Sequence, residues 1–221
     1  MKWVEKIKNN EPDFFNFGRP YKIELSREDG ERRLSQIADE AEAEYAWAFD
    51  NETSTWIYYP SKKFTENADY EAGEISLRLE VPKKLLIPPS GDSDFYHIHP
   101  NYIEKRLLEN PKEGFDSKDV LQVKALIPST EDLQTAVDLT KDGYKRLKIV
   151  TSIGVTTFSF DPEKAKDLKD GNAPGVTISR EDIKKWLEED GLENAIKKAL
   201  NQLNEHYDGV FVFSFEELYS D

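Results

Sequence analysis

The chain has 221 residues, enough for one sizeable domain with a buried core, and its hydrophobic (38%) and aromatic (12%) content excludes wholesale disorder. A net charge of −14 argues against binding nucleic-acid phosphates, and the absence of cysteine excludes both a disulfide framework and a thiol nucleophile. No apolar run is long enough for a membrane span, and the opening MKWVEKIKNN has no apolar signal core, so a cytoplasmic location is expected.

In chain order, Phe14, Phe15 and Phe17 form an aromatic cluster among Pro12, Gly18 and Pro20, which reads as a lid over a core. Tyr21 to Leu25 alternates as a strand does. Ser26 to Tyr45 reads as a helix, with Leu34, Ile37, Ala38 and Ala41 at helical spacing and an acidic end at Asp39, Glu40, Glu42 and Glu44. Strands follow at Tyr45–Asp50 and Thr53–Tyr59, joined by a turn at Asn51-Glu52. Pro60 to Gly73 reads as a polar loop and Glu74 to Val81 as a half-buried strand.

The next strand, Asp94 to His99, carries two of the three histidines as His97-Ile98-His99-Pro100. Residues i and i+2 of a strand face the same way, so both imidazoles stand on one side, about 6–7 Å apart at the backbone. They are close enough to share a metal ion such as zinc, which then wants one or two more donors. Those donors are a carboxylate, the third histidine or water, and Asp132 is the candidate carboxylate. After a looped excursion from Asn101, with a short helix-like piece at Tyr102–Glu109, Val123 to Ile127 reads as a short strand. Ser129 to Asp142 is a predicted helix whose opening Ser129-x-x-Asp132 also reads as a capping box, with Gly143 as its stop. Leu147 to Phe160 predicts one or two strands with Gly154 as a turn or bulge between them, and Glu163 to Asp170 a charged helical turn. Ser179 to His206 predicts one or two helices interrupted at Gly191, and the apolar run Val210–Phe215 a strand buried on both faces. His206, at a helix end, is not assigned to the metal.

His-x-His-Pro at residues 97–100, followed by Ser-x-x-Asp at 129–132, resembles the JAMM (MPN-plus) zinc metallopeptidase family. The family has a short loop between the two motifs, whereas here positions 100–128 intervene, so the resemblance implies an enlarged loop at 101–126. It implies an α/β fold, a mixed sheet flanked by helices in a three-layer core like that of JAMM and cytidine-deaminase proteins. It also implies a single domain over 1–221, with an N-terminal extension 1–25 and a C-terminal helix–strand extension 179–221. By the resemblance, His97, His99 and Asp132 bind Zn²⁺ and water takes the fourth position. A catalytic Glu is expected where the first helix meets the next strand. Glu44 occupies that junction, with Glu42 and Glu40 as second and third candidates. Glu44 would act as general base and Ser129 would stabilise the oxyanion.

The reaction so implied is hydrolysis of a peptide or isopeptide bond, with a protein substrate such as a ubiquitin-like conjugate. Two other readings stand beside it. One is a catalytically silent JAMM-like scaffold that binds a protein partner. The other is an unrelated α+β interaction domain in which His-x-His is incidental.

Overall fold

The computed structural model describes residues 21–41, 44–59, 63–69, 74–80, 88–101, 105, 108, 117–167 and 178–218. These form β1 (Tyr21–Glu24), α1 (Arg27–Glu40), β2 (Ala46–Asp50), β3 (Thr55–Tyr59), β4 (Lys63–Asp69), β5 (Glu74–Glu80), β6 (Ser93–Ile98), α2 (Lys118–Leu126), α3 (Thr130–Lys141), β7 (Arg146–Val150), β8 (Gly154–Phe160), α4 (Arg180–Tyr207) and β9 (Phe211–Glu217). The expected aromatic cluster at Phe14–Phe17 and the helix-like piece at 102–109 lie outside the described residues, apart from Lys105 and Leu108.

Local chemistry starts three helices where the sequence suggests, at Ser26, Ser129 and Ser179, and a fourth, at Ser117, where it does not. All four serines are N-caps, each side chain accepting a backbone N–H from the first turn. α1 stops at Glu40 rather than Tyr45, because Ala41 is already extended. α4 is one element with a break at Gly191, where φ is +78° and ψ is 178°. Only glycine adopts that backbone readily, which is why the predicted interruption falls there.

Seven strands make one mixed sheet in the order β1-β3-β2-β6-β7-β8-β9, and β4 and β5 form a separate two-stranded sheet. All neighbours in the large sheet are antiparallel except β6 and β7. A parallel pair needs a crossover, and the 99–145 connection supplies it with α2 and α3. The protein is therefore α/β, and its layers can be read from strand alternation. Trp47, Phe49, Tyr96, Ile98 and Val150 pack with Leu34, Ile37 and Ala38 of α1. Ala46, Ala48, Phe95, Leu147 and Ile149 pack on the opposite face with α2, α3 and α4.

Four expectations change. The polar stretch Pro60–Gly73 contains β4, which pairs with β5 from Lys63↔Glu80 to Asp69↔Glu74. Its strand character comes from that pairing, since its own sequence is weakly apolar. Residues 118–126 are neither loop nor strand: α2 buries Val120, Val123 and Leu126 in the core at helical spacing. A short apolar run does not by itself separate helix from strand. β9, at the end of the strand order, lays only one face on the core, so its apolar run alternates between buried Phe211 and Phe213 and exposed Val212 and Ser214. Gly154 is not the turn but the first residue of β8, because Thr151 N–H bonds Gly154 O at 2.9 Å and closes the turn before it.

Candidate metal centre

β6 is the fourth of seven strands, and its C-terminal end opens where pairing changes from antiparallel to parallel. His97 is the penultimate residue of β6, on the face covered by α2–α4. His99 lies one residue past the strand, but its N–H still bonds Val150 O at 3.0 Å. That bond continues the parallel pairing and keeps the second imidazole on the side of the first. The ring centroids are 4.9 Å apart.

Asp132 reaches the same place from the third position of α3. Its Oδ2 accepts from Ser129 N (2.7 Å) and Ser129 Oγ (2.8 Å), and its own N–H donates to Ser129 Oγ (3.1 Å). This is the predicted capping box, and it also aims the carboxylate. Oδ1 stands 3.1 Å from His97 Nε2, and Oδ2 stands 3.7 Å from His99 Nε2. The two Nε2 atoms are 3.0 Å apart. The three side chains thus offer ligand atoms that all lie within 4.8 Å of one another.

A tetrahedral zinc with bonds near 2.0–2.1 Å sets its ligand atoms about 3.3 Å apart. His97 Nε2 to His99 Nε2 at 3.0 Å and His97 Nε2 to Asp132 Oδ1 at 3.1 Å are close to that value, and His99 Nε2 lies 3.7 Å from the other carboxylate oxygen, Oδ2. The donor chemistry fits as well. His99 Nδ1 lies 2.7 Å from Ala125 O, and a carbonyl only accepts, so Nδ1 carries the proton and Nε2 is presented to the centre. The group could therefore hold a divalent metal ion.

The electrostatics agree with a cation site. Burial acts to raise the Asp132 pKa, but the His97 imidazole beside it, then its hydrogen bond, His99 and the Ser129 N–H, hold the carboxyl well below the usual range. Glu44 is half-buried, and burial pushes its carboxyl from 4.5 up to about 7; His99 opposes that rise and Asp132 adds to it. Those interactions put Glu44 within electrostatic reach of His99 and Asp132. Of its rivals, Glu40 is exposed at the end of α1 and Glu42 lies outside the described residues. Ser129 is beside the centre, with its hydroxyl donating to Asp132 and accepting from the Asp132 N–H. His206 is exposed in the last turn of α4, edge-on to Tyr207.

Two contributors escape a reading of the sequence. Ala125 acts through its backbone carbonyl, which no side-chain motif announces. Thr156 is fully buried on β8 and donates to Leu126 O at 2.8 Å. Its only signal is a hydroxyl at an inward position of a strand. Comparison with protein-family models finds no match, and comparisons with curated proteins and with solved structures find none either.

Proposed function

We propose that the protein is a cytoplasmic zinc-dependent metallopeptidase of the JAMM type, which hydrolyses peptide or isopeptide bonds and takes ubiquitin-like conjugates as its substrate class. One observation carries this reading: the ligand atoms of His97, His99 and Asp132 converge within 4.8 Å at the end of the central strand. Half-buried Glu44 beside them is the acid–base group such a site needs.

His97 Nε2, His99 Nε2 and Asp132 Oδ1 would hold the ion. When bound, zinc supplies a Lewis acid that brings the pKa of water from about 15.7 to about 7. Glu44 takes the proton of the attacking water and returns it to the departing nitrogen. Burial raises the Glu44 carboxyl in the metal-free protein, and a bound cation would pull it back down, toward the carboxylate that takes a proton from water. Ser129 holds the Asp132 carboxylate in line through two hydrogen bonds. A role for the same hydroxyl at the oxyanion requires it to turn away from Asp132 Oδ2.

Elemental analysis of untagged protein tests the reading. We expect about one zinc per chain in the wild type, as a single three-ligand site requires, and none in His97→Ala. The zinc-loaded wild type should then cleave isopeptide-linked ubiquitin-like dimers. Failure to take up added zinc overturns the metal site. Zinc retention without hydrolysis of any peptide or isopeptide substrate overturns the catalytic part and leaves a binding scaffold.

A further inference from the structure

We propose that Thr156 is a positioning residue for the metal centre, acting through the C-terminal turn of α2; the inference rests on the metal site proposed above. The last carbonyls of a helix have no partner inside it. In α2 two of them are taken by groups from elsewhere. Ala125 O accepts His99 Nδ1 at 2.7 Å, and Leu126 O accepts Thr156 Oγ1 at 2.8 Å.

Thr156 stands on one cross-strand row with His97. The register runs His97↔Ile149 and Ile149↔Thr156, so the two lie two strands apart, about 10 Å. Both point to the face covered by α2 and α3, and both are buried. The sheet thus sets one ligand directly, as His97. It sets the second at one remove, because Thr156 holds Leu126, the adjacent Ala125 carbonyl holds Nδ1 of His99, and Nε2 is left facing the centre.

The same anchor bears on the third ligand. Only Ile127 and Pro128 separate α2 from Ser129, whose cap aims Asp132. A hydroxyl with no contact to the ion therefore fixes where two of its three ligands stand. The negative end of the α2 dipole faces the His99 N–H, which strengthens Nε2 as a donor. None of this depends on α2 as a surface loop, because α2 is a core helix.

The test compares zinc affinity, by competition with a chromophoric chelator, in wild type, Thr156→Val, Thr156→Ser and Leu203→Ala. Leu203 is a buried core residue of α4, and it serves as a control for lost packing. The tautomer of His99 is read in metal-free protein by ¹⁵N NMR. We expect Thr156→Val to weaken zinc binding about 10-fold, the low end of the range for direct partners of metal ligands, because it acts through Leu126 and Ala125. The His99 tautomer should become mixed. Thr156→Ser should restore both, and Leu203→Ala should change neither.

Wild-type zinc affinity in Thr156→Val, or an equal loss in Leu203→Ala, overturns the positioning role and leaves the metal site standing. No zinc binding by the wild type overturns both.

Discussion

The two faces of the central sheet both bury polar groups, and they settle them in opposite ways. On the α1 face, Lys148 Nζ meets Glu31 Oε1 at 2.6 Å, and Tyr96 OH donates to the same oxygen at 2.7 Å. Beside them Asp94, fully buried, takes Arg146 Nε at 2.7 Å and Arg27 at 3.3 Å. Each buried carboxylate there has a fixed cation. On the other face Asp132 meets two imidazoles and a serine, with Glu44 close by. One strand serves both, since β6 turns Asp94 and Tyr96 to the first face and His97 to the second. A polar cluster closed by its own charges is architecture. A cluster of converging lone pairs and carboxylates, with no Lys or Arg bonded to Asp132 among the described residues, could hold a cation from outside.

The comparison breaks most visibly if the closed face is opened. Lys148→Ala leaves Glu31 buried without its cation, and removing one member of such a pair costs about 3–5 kcal/mol. Urea denaturation should show that loss, while zinc stoichiometry of the folded protein stays at the wild-type value. The double variant Lys148→Met with Glu31→Leu should recover most of the stability, because it leaves no lone buried charge. A loss under about 1 kcal/mol in the single variant would contradict the division of roles drawn here.

Glu44 sharpens the contrast from the other side. Its pKa is raised from 4.5 to about 7, so the folded state keeps a proton that the unfolded chain has released. The sign follows. The metal-free protein loses stability as pH rises from about 4.5 through about 7, by up to about 3 kcal/mol. Glu44→Gln should flatten that pH dependence. In loaded protein the same substitution should keep zinc and lower turnover about 10²–10⁴-fold, the usual weight of a general base. Denaturation midpoints across pH 4 to 8 check the first effect and steady-state kinetics the second. Persistence of the pH slope in the variant would assign it to another group.

The smallest expected effect belongs to Ser129. Ser129→Ala removes an N-cap, which costs about 1 kcal/mol. It also frees one oxygen of a metal ligand, which should weaken zinc binding about 10-fold. Both are measurable in one preparation, by thermal melts of the metal-free form and by chelator competition. Weaker zinc binding with an unchanged melt would mean that the hydroxyl serves the ligand and not the helix.

Much of the centre was legible because its signals are local. The i, i+2 spacing of His97 and His99 places both on one side of any strand, whatever that strand pairs with. Ser129-x-x-Asp132 is a capping box within one turn of one helix, and Gly191 breaks α4 through its own backbone freedom. The misread elements depend on partners far along the chain. β4 is a strand because β5 lies against it. β9 alternates in exposure because α4 and the core cover only the face that carries Phe211 and Phe213. α2 is a helix because its apolar residues have a core to enter at helical spacing.

By itself, then, the sequence determined which side chains could act together on each short segment: two imidazoles on a strand, and a serine and a carboxylate opening a helix. The tertiary structure decided that those segments meet, that Glu44 sits beside them rather than on a solvated helix end, and that Ala125 sets the tautomer of His99. The reason is one of range. Periodicity and capping are set by backbone geometry over a few residues. The landing of α2 and α3 over the end of β6 is set by burial summed over both faces of a sheet, and no single stretch of chain carries that sum.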